Sequence, residues 1–303
     1  MPTTFGKPGE LRPLDAALFD AIERHDGDAA LGLIARGADV NALDRFEVPI
    51  DRERYPAQRT PLMAAIEVKD ALLALELLSV PGIDLDISSG FDGRTALIDA
   101  ARLGDMMLVE ALLARGASAL KKTIDGRIAL DYAIEAGHAG VAERLLACGR
   151  PPDLTEPLTD AAFRGQRDMV FRLQAEGGDI NAVNSVGDSA LVAAAWGGHE
   201  ALVLELMQRG ADVQRFGPAA LRRAANSGHA GIIRRLVAHG VPVNGRDGSG
   251  WAPLMFAAWQ NNDVAVRTLL VLGADKNIKE NTGKTALDWA RQGGHQQIVA
   301  LLA

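Results

Sequence analysis

Glycine recurs along this chain at a fixed separation of twelve residues. The clearest pairs, all read directly from the sequence, are Gly104 and Gly116, Gly137 and Gly149, Gly165 and Gly177, Gly198 and Gly210, and Gly228 and Gly240. Self-similarity at a period of about thirty-three residues indicates a stack of small equivalent units and argues against a single globular core. Such a stack offers an extended surface and seldom a cleft for catalysis.

Each unit carries the same order of local signals. Thr60-Pro61-Leu62 is typical of a helix start, because a hydroxyl can cap free amides and proline suits the first helical position. Gly198-His199 ends a first helix and turns the chain. The following helix has apolar residues at helical spacing, and a glycine such as Gly210 ends it. The pattern therefore predicts a repeated helix-turn-helix unit.

These residues resemble the ankyrin repeat, whose pattern runs Thr-Pro-Leu-His, Ala-Ala, Gly-His, a leucine run and Gly-Ala-Asp. The resemblance covers nine copies and implies an all-α repeat solenoid, an ankyrin-repeat stack of helix-turn-helix units joined by short β-hairpin-like fingers. We expect one domain over residues 1–303, with repeats at 13–43, 59–87, 92–120, 125–153, 155–183, 185–214, 218–246, 248–277 and 282–303. No copy has the family's histidine after Thr-Pro-Leu, so we expect more reliance on apolar packing between repeats.

One connection is longer than the rest. From Gly37 to Leu62 the chain runs twenty-five residues where fourteen is usual, which predicts an inserted finger loop at 44–59. Loops tolerate insertion, and tyrosine and arginine favour interfaces. We predict partner contacts at Phe46, Arg54 and Tyr55; the alternative is a solvated loop without a specific contact.

Two connections are shorter than usual. Gly149 to Leu158 spans nine residues and Gly210 to Leu221 spans eleven, so neither leaves room for a full finger. We predict a change of curvature near 149–158, which would mark two sub-stacks that share one core. The alternative is sequence drift that bends nothing.

The ankyrin resemblance also implies a binding surface. In that family the residues between Ala-Ala and Gly-His, and the residue before Thr-Pro, face a concave groove that binds partners. We predict partner contacts in repeats five to eight at the matching positions, with Phe216 nearby in a shortened connection: Phe163, Arg164, Trp196, Asn226, Trp251, Trp259 and Gln260. Large exposed apolar side chains usually mark a contact site. The alternative is that these rings only pack on each other; Trp289 is predicted to be core.

Composition narrows the partner class. A net charge of −7 argues against nucleic acid or an anionic membrane as the main ligand, and it suits a basic protein. No apolar run suits a membrane span, and residues 1–13 lack the apolar segment of a signal peptide. With Cys148 as the only cysteine, no internal disulfide can form, so we expect a cytoplasmic protein. Its alanine and arginine usage suits a bacterial chain.

The sequence shows no set of residues typical of a catalytic site. The histidines His138, His199, His229 and His295 repeat one turn position, and Cys148 is predicted to be a buried filler at a helix end. No zinc spacing, phosphate-binding loop or dinucleotide fingerprint is present, so we expect no metal, cofactor or catalysis. We predict a monomeric protein-interaction module, acting as scaffold, adaptor or inhibitor. The alternatives are a secreted effector that binds host proteins, a self-assembling structural protein, or an enzyme.

Overall fold

A computed structural model describes residues 11–50, 53–90, 92–149 and 151–303, without the side chains of 46–50 and 53–56. Within these residues the chain forms eighteen helices and one two-stranded sheet. The chain divides into two compact units, Met1–Pro151 and Pro152–Ala303.

The first unit consists of four consecutive helix pairs and the sheet. Its elements are α1 (Pro13–Glu23), α2 (Gly27–Ala35), β1 (Asp44–Ile50), β2 (Glu53–Arg59), α3 (Pro61–Glu67), α4 (Ala71–Leu78), α5 (Ala96–Leu103), α6 (Met106–Ala114), α7 (Ala129–Ala136) and α8 (Ala139–Cys148). Cys148, at the end of α8, is exposed, so the prediction that it is buried was wrong. At the end of that helix its side chain lies beside the guanidinium of Arg144 and stays exposed.

The second unit consists of five helix pairs. Its elements are α9 (Thr155–Phe163), α10 (Arg167–Ala175), α11 (Ala190–Gly197), α12 (Glu200–Gln208), α13 (Val213–Ser227), α14 (Ala230–Ala238), α15 (Pro253–Trp259), α16 (Asp263–Val271), α17 (Ala286–Gln292) and α18 (Gln296–Leu302).

The core of each unit lies between the two helices of a pair and between successive pairs. In the second unit α11 packs against α9 and α13, and α14 packs against α12 and α16. Fully buried leucine and alanine side chains such as Leu191, Ala194 and Leu206 fill these layers. Small residues let neighbouring helices approach closely, which explains how a chain with only 5% aromatic residues builds a core within each unit. The predicted all-α repeat fold is confirmed.

Side-chain caps begin four of the first helices, α3, α5, α13 and α17. The hydroxyl Oγ1 of Thr60 accepts a hydrogen bond from the backbone N of Met63 at 3.2 Å, with Pro61 at the first helical position. Thr285 and Asp288 form a reciprocal capping box, in which the Asp288 carboxylate accepts from the backbone N of Thr285 at 2.9 Å. These hydrogen bonds from Thr285 hold the pKa of Asp288 below its usual range.

An asparagine side chain ties each of several turns to the next repeat. The Asn181 amide donates to the Gly210 carbonyl at 3.0 Å and accepts from the Asp212 backbone N at 2.8 Å. Asn41 and Asn244 make the same pair of bonds, to Gly82 and Asp84 and to Gly273 and Asp275 respectively. These bonds satisfy backbone groups that no helix or sheet uses.

The inserted segment forms an antiparallel hairpin. Its strands β1 and β2 pair from Asp44 opposite Arg59 to Ile50 opposite Glu53. At the base, the Arg59 guanidinium contacts the carboxylates of Glu23 at 2.6 Å, Glu67 at 3.0 Å and Asp44 at 3.1 Å. Phe46, Arg54 and Tyr55 belong to these strands, but their side chains lie outside the described residues, so their predicted contacts stay predictions.

The shortened connection after Gly210 is helical. Asp212 caps α13 by accepting from the Arg215 backbone N at 2.9 Å, and the helix runs for fifteen residues with Pro218 inside it. Phe216 therefore lies on a helix against the core and is only 6% exposed. This burial contradicts the prediction that Phe216 is accessible to a partner.

The turn glycine Gly198 is required for two separate reasons. Its φ of 85° lies in the left-handed region, and an added Cβ would stand 2.6 Å from Cε1 of His229. Gly240 has a similar φ of 87°, but an added Cβ there would meet nothing within 4 Å. Comparing a substitution at each glycine therefore separates the cost of the left-handed backbone from the cost of a steric collision with His229.

We expect Gly240→Ala to lower the free energy of unfolding by about 1 kcal/mol, the cost of a left-handed alanine. Gly198→Ala should cost at least about 1 kcal/mol more, because His229 must also move. Urea unfolding followed by circular dichroism measures both. Equal losses in the two variants would contradict the collision.

The buried carboxyl of Asp99 in α5 should make the stability of the fold depend on pH. Burial raises the pKa of this carboxyl to about 6, although the guanidinium of Arg94 lies 2.9 Å away and opposes the shift. Because the folded pKa exceeds the unfolded value of about 3.9, the folded state binds the proton more tightly, and this site adds stability as pH falls below 6.

We expect the wild type to gain about 1 kcal/mol relative to Asp99→Asn between pH 7 and pH 5. Using the difference between the two proteins cancels the titration of every other carboxylate. Urea titrations at the two pH values measure it, and a difference that does not change with pH would show that Asp99 titrates normally.

Candidate interaction surface

The predicted partner-contacting residues of the second unit stand at the ends of its first helices. Phe163 ends α9, Trp196 lies one residue before the end of α11, and Trp259 ends α15. These three rings are 37%, 37% and 43% exposed. Asn226 occupies the equivalent place in α13 and is half-buried, and Trp251 precedes α15 and is also half-buried. Arg164 and Gln260, each the next residue after one of these rings, are exposed.

The turn side chain of each following repeat fixes the backbone at these positions. His199 Nε2 lies 2.8 Å from the Phe163 carbonyl oxygen, and His229 Nε2 lies 3.0 Å from that of Trp196. The equivalent side chains of Asn262 and His295 bond to the carbonyls of Asn226 and Trp259. Helix ends leave such carbonyls without an intrahelical partner. The expectation of mainly apolar packing therefore missed a polar link between repeats.

The first aromatic group is the Trp196 patch, which we define as Phe163, Trp196, Arg223 and Asp188. The rings of Phe163 and Trp196 meet edge to face with centroids 5.1 Å apart. The Arg223 guanidinium carbon lies 4.1 Å from the centroid of the Trp196 ring. Nη2 of Arg223 lies 2.9 Å from Oδ2 of Asp188. The chain thus covers this indole with its own cation, which a carboxylate holds in place.

The second group is the Trp251 pocket, an open cavity of about 290 Å³ lined by Asn226, Asp247, Ser249, Trp251, Phe256, Trp259 and Gln260. The Trp251 ring packs against Phe256 with centroids 5.0 Å apart and against Trp259 at 6.0 Å. Asp247 Oδ1 accepts from the backbone N of Ser249 and of Trp251, both at 2.9 Å. These bonds fix the carboxylate beside the indoles.

Trp289 belongs to this second group, so the prediction that it is core was wrong. Trp289 is half-buried. Its ring centroid lies 4.7 Å from that of Trp251 and 5.0 Å from that of Trp259. The leucine of α17 that corresponds to the inward leucine of other repeats is Leu287, two residues earlier. The Lys284 ammonium lies 4.2 Å from the Trp289 ring centroid.

Four residues that shape this surface were missed from the sequence: Arg223, Phe256, Asp247 and Asp188. A position-by-position alignment of the repeats could have found the first two. Arg223, Phe256 and Trp289 each stand six residues before the side chain that begins the next helix, one helical turn before Asn226, Trp259 and Gln292. Residues three apart share a helix face, so this second column faces the same way as the first. No sequence signal distinguished Asp247 or Asp188 from other turn aspartates.

The described residues contain neither a metal-binding cluster nor a membrane-spanning helix. No cluster of three or more histidine, cysteine, aspartate or glutamate side chains suited to a metal ion occurs in the part of the chain that the structure describes. Within the same ranges, no helix combines the length and the apolar character needed to cross a bilayer.

Helix pairs stacked in this way, with a surface at the ends of the first helices, define a helical repeat protein. The sequence pattern described as "Ankyrin repeats (3 copies)" matches residues 62–157, 158–247, 191–280 and 221–303. These matches cover most of the chain, which therefore belongs to the ankyrin repeat family. Ankyrin repeats are generally protein–protein interaction modules.

Three relatives from a fungus, a bacterium and a mammal share the repeats at moderate identity. The chain is 29% identical over 245 residues to ankyrin repeat protein nuc-2 of Neurospora crassa, covering 77% of this chain and 23% of that protein. It is 29% identical over 184 residues to the putative ankyrin repeat protein YahD of Escherichia coli, covering 47% of this chain and 92% of the relative. It is also 29% identical to the B-cell lymphoma 3 protein homolog of Mus musculus, covering 61% of this chain and 37% of that protein. The chain thus spans about a quarter of nuc-2, the first of these relatives.

The polar link between repeats predicts a measurable loss of stability. We expect His229→Ala to lower the free energy of unfolding by about 1 kcal/mol, because the Trp196 carbonyl loses its partner. His239→Ala is the matched control, since among the described residues that ring bonds only to the Arg235 carbonyl of the helix it follows. Urea unfolding compares the two, and an equal loss in both variants would show that the link between repeats adds nothing.

Proposed function

We propose that this chain is a non-catalytic protein-interaction module that binds a partner protein on the surface formed by the Trp196 patch and the Trp251 pocket. The observation that carries the proposal is the exposure of Phe163, Trp196 and Trp259 at equivalent positions of one unit. Large exposed aromatic side chains on one face usually mark a binding surface. Tryptophan and arginine also dominate the energetics of protein interfaces.

The position of these residues supports the proposal further. Their backbone is held by bonds from the next repeat, so the rings stand on a rigid support. A surface that is ordered before binding loses less conformational entropy when a partner docks. A helix or an extended peptide that runs across successive repeats would meet both groups in turn.

The hairpin at 44–59 is a second proposed contact element, with Phe46, Arg54 and Tyr55 on its strands. Its base is fixed by Arg59, so the hairpin projects from an anchored end. We propose a scaffold, adaptor or inhibitor role in the cytoplasm for the chain, which would act as a monomer.

The test is affinity capture from lysate of the source organism with three proteins of verified fold. The double variant Trp196→Ala/Trp259→Ala removes two exposed rings and leaves Trp251 packed on Trp289. Val271→Ala is the control, because Val271 is 87% exposed on α16 and belongs to neither group. We expect the wild type and the control to retain the same partner.

The double variant should lose that partner, with binding weakened by about 2 kcal/mol or more, as expected for aromatic hot spots. Titration calorimetry with the purified partner measures the difference. A partner that binds the double variant as tightly as the wild type would overturn this surface and move attention to the 44–59 hairpin.

A further inference from the structure

The two aromatic groups of the second unit differ in one respect. In the Trp196 patch an indole, a carboxylate and a guanidinium of the chain itself come together, through Trp196, Asp188 and Arg223. The Trp251 pocket has the indoles and a carboxylate, but no cationic group of the described residues lies over the ring of Trp251 or Trp259. Lys284, the cation of this group, lies over Trp289 and leaves the rings of Trp251 and Trp259 uncovered.

The repeat alignment gives the reason for the difference. Arg223 and Trp289 occupy the same position in their repeats, and each packs on the tryptophan of the repeat before it. Where the seventh repeat places a guanidinium on Trp196, the ninth places a third indole beside Trp259. The substitution packs a further indole against Trp259 and places no cation on that ring from the equivalent position.

The nearest arginine along the chain is engaged elsewhere. Arg246 precedes Asp247, but its guanidinium donates to the carbonyls of Gly250 at 3.1 Å and of Lys279 at 2.9 Å. Asp247 uses Oδ1 for its two backbone bonds, and Oδ2 has no hydrogen-bond partner among the described residues. A carboxylate oxygen is thus free to accept from a ligand in the pocket.

We propose that the Trp251 pocket receives an arginine side chain of the partner, which stacks on the indoles and donates to Asp247. The rings of Trp251 and Trp259 supply aromatic faces, over which a guanidinium is attracted by the ring electrons. The carboxylate of Asp247 supplies the opposite charge, and the amide oxygens of Asn226 and Gln260 supply further acceptors. Guanidinium has five planar donors, which suits several acceptors around a flat wall better than an ammonium does.

The size of the pocket supports a single side chain as the occupant. Sites for small-molecule ligands are typically cavities of about 300–1,000 Å³. This pocket, at about 290 Å³ and open to solvent, lies at the lower limit of that range. The inference rests on the proposed function, because the arginine belongs to a bound protein.

The test uses nuclear magnetic resonance on the full chain, with the four indole N–H signals as reporters. The probe is acetyl-Gly-Arg-Gly-amide, and the same peptide with citrulline in place of arginine is the neutral control of the same shape. A lysine peptide tests for a simple point charge. Tryptophan-to-phenylalanine variants assign the signals, and Trp196 is the internal control because Arg223 already covers it.

We expect the arginine peptide to shift the Trp251 and Trp259 signals saturably, with a dissociation constant on the order of 1 mM. The Trp196 signal should stay unchanged, and the citrulline peptide should leave all four signals in place. Asp247→Asn should weaken binding about tenfold, since it removes the charge while its Oδ1 still accepts from the Ser249 and Trp251 amides.

Three results would overturn the inference: equal shifts with citrulline, equal or tighter binding of the lysine peptide, or no shift with any peptide. These failures remain distinct from failure of the proposed function. If the captured partner binds Asp247→Asn as tightly as the wild type but is lost from Trp196→Ala/Trp259→Ala, the surface binds protein without an arginine in the pocket.

Discussion

A hydrogen bond from the start of a second helix to the end of the first helix in the repeat before is the constraint on which the second unit depends, and four of its five second helices make it. His199, His229, Asn262 and His295 each reach back to a carbonyl of the repeat before. That carbonyl belongs to the residue whose side chain forms the candidate surface. Because the bond uses the backbone, the side chain is free to vary from phenylalanine to tryptophan to asparagine. The same hydrogen bonds therefore hold the repeats together and position the side chains of the candidate surface.

Mutual packing explains only part of the aromatic surface. The rings of Trp251, Trp259 and Trp289 contact one another, and that contact accounts for the edges they bury. It does not account for the 43% of Trp259 that stays in contact with water. A thin core could be widened by aliphatic residues without this exposure, as the fully buried Ala257 and Leu269 of the same repeat do. Packing and an accessible face thus coexist in the same side chains.

Periodicity predicted the fold, because glycine turns, capped starts and leucine runs are local signals that repeat in register. The same reasoning placed Phe163, Trp196 and Trp259 at helix ends, where they are exposed. The prediction failed at Phe216, because the short connection after Gly210 was expected to be a loop. In the structure Asp212 caps a helix there, and that helix continues through Pro218. The prediction also missed Arg223 and wrongly assigned Trp289 to the core, because the roles of both arise from contacts with the previous repeat that no single repeat reveals.

The net charge of −7 is the sum of two halves of the chain that differ in charge. Residues 1–151 hold twenty-four acidic and seventeen basic side chains, whereas residues 152–303 hold fifteen of each. The acidic balance that favoured a basic partner therefore belongs entirely to the first half, while the candidate surface belongs to the second. At physiological ionic strength exposed charges are screened over about 8 Å, so net charge acts on the approach of a partner more than on its contacts. Selection of a basic side chain at the Trp251 pocket then rests on one local carboxylate, Asp247, held against the indoles by its own turn.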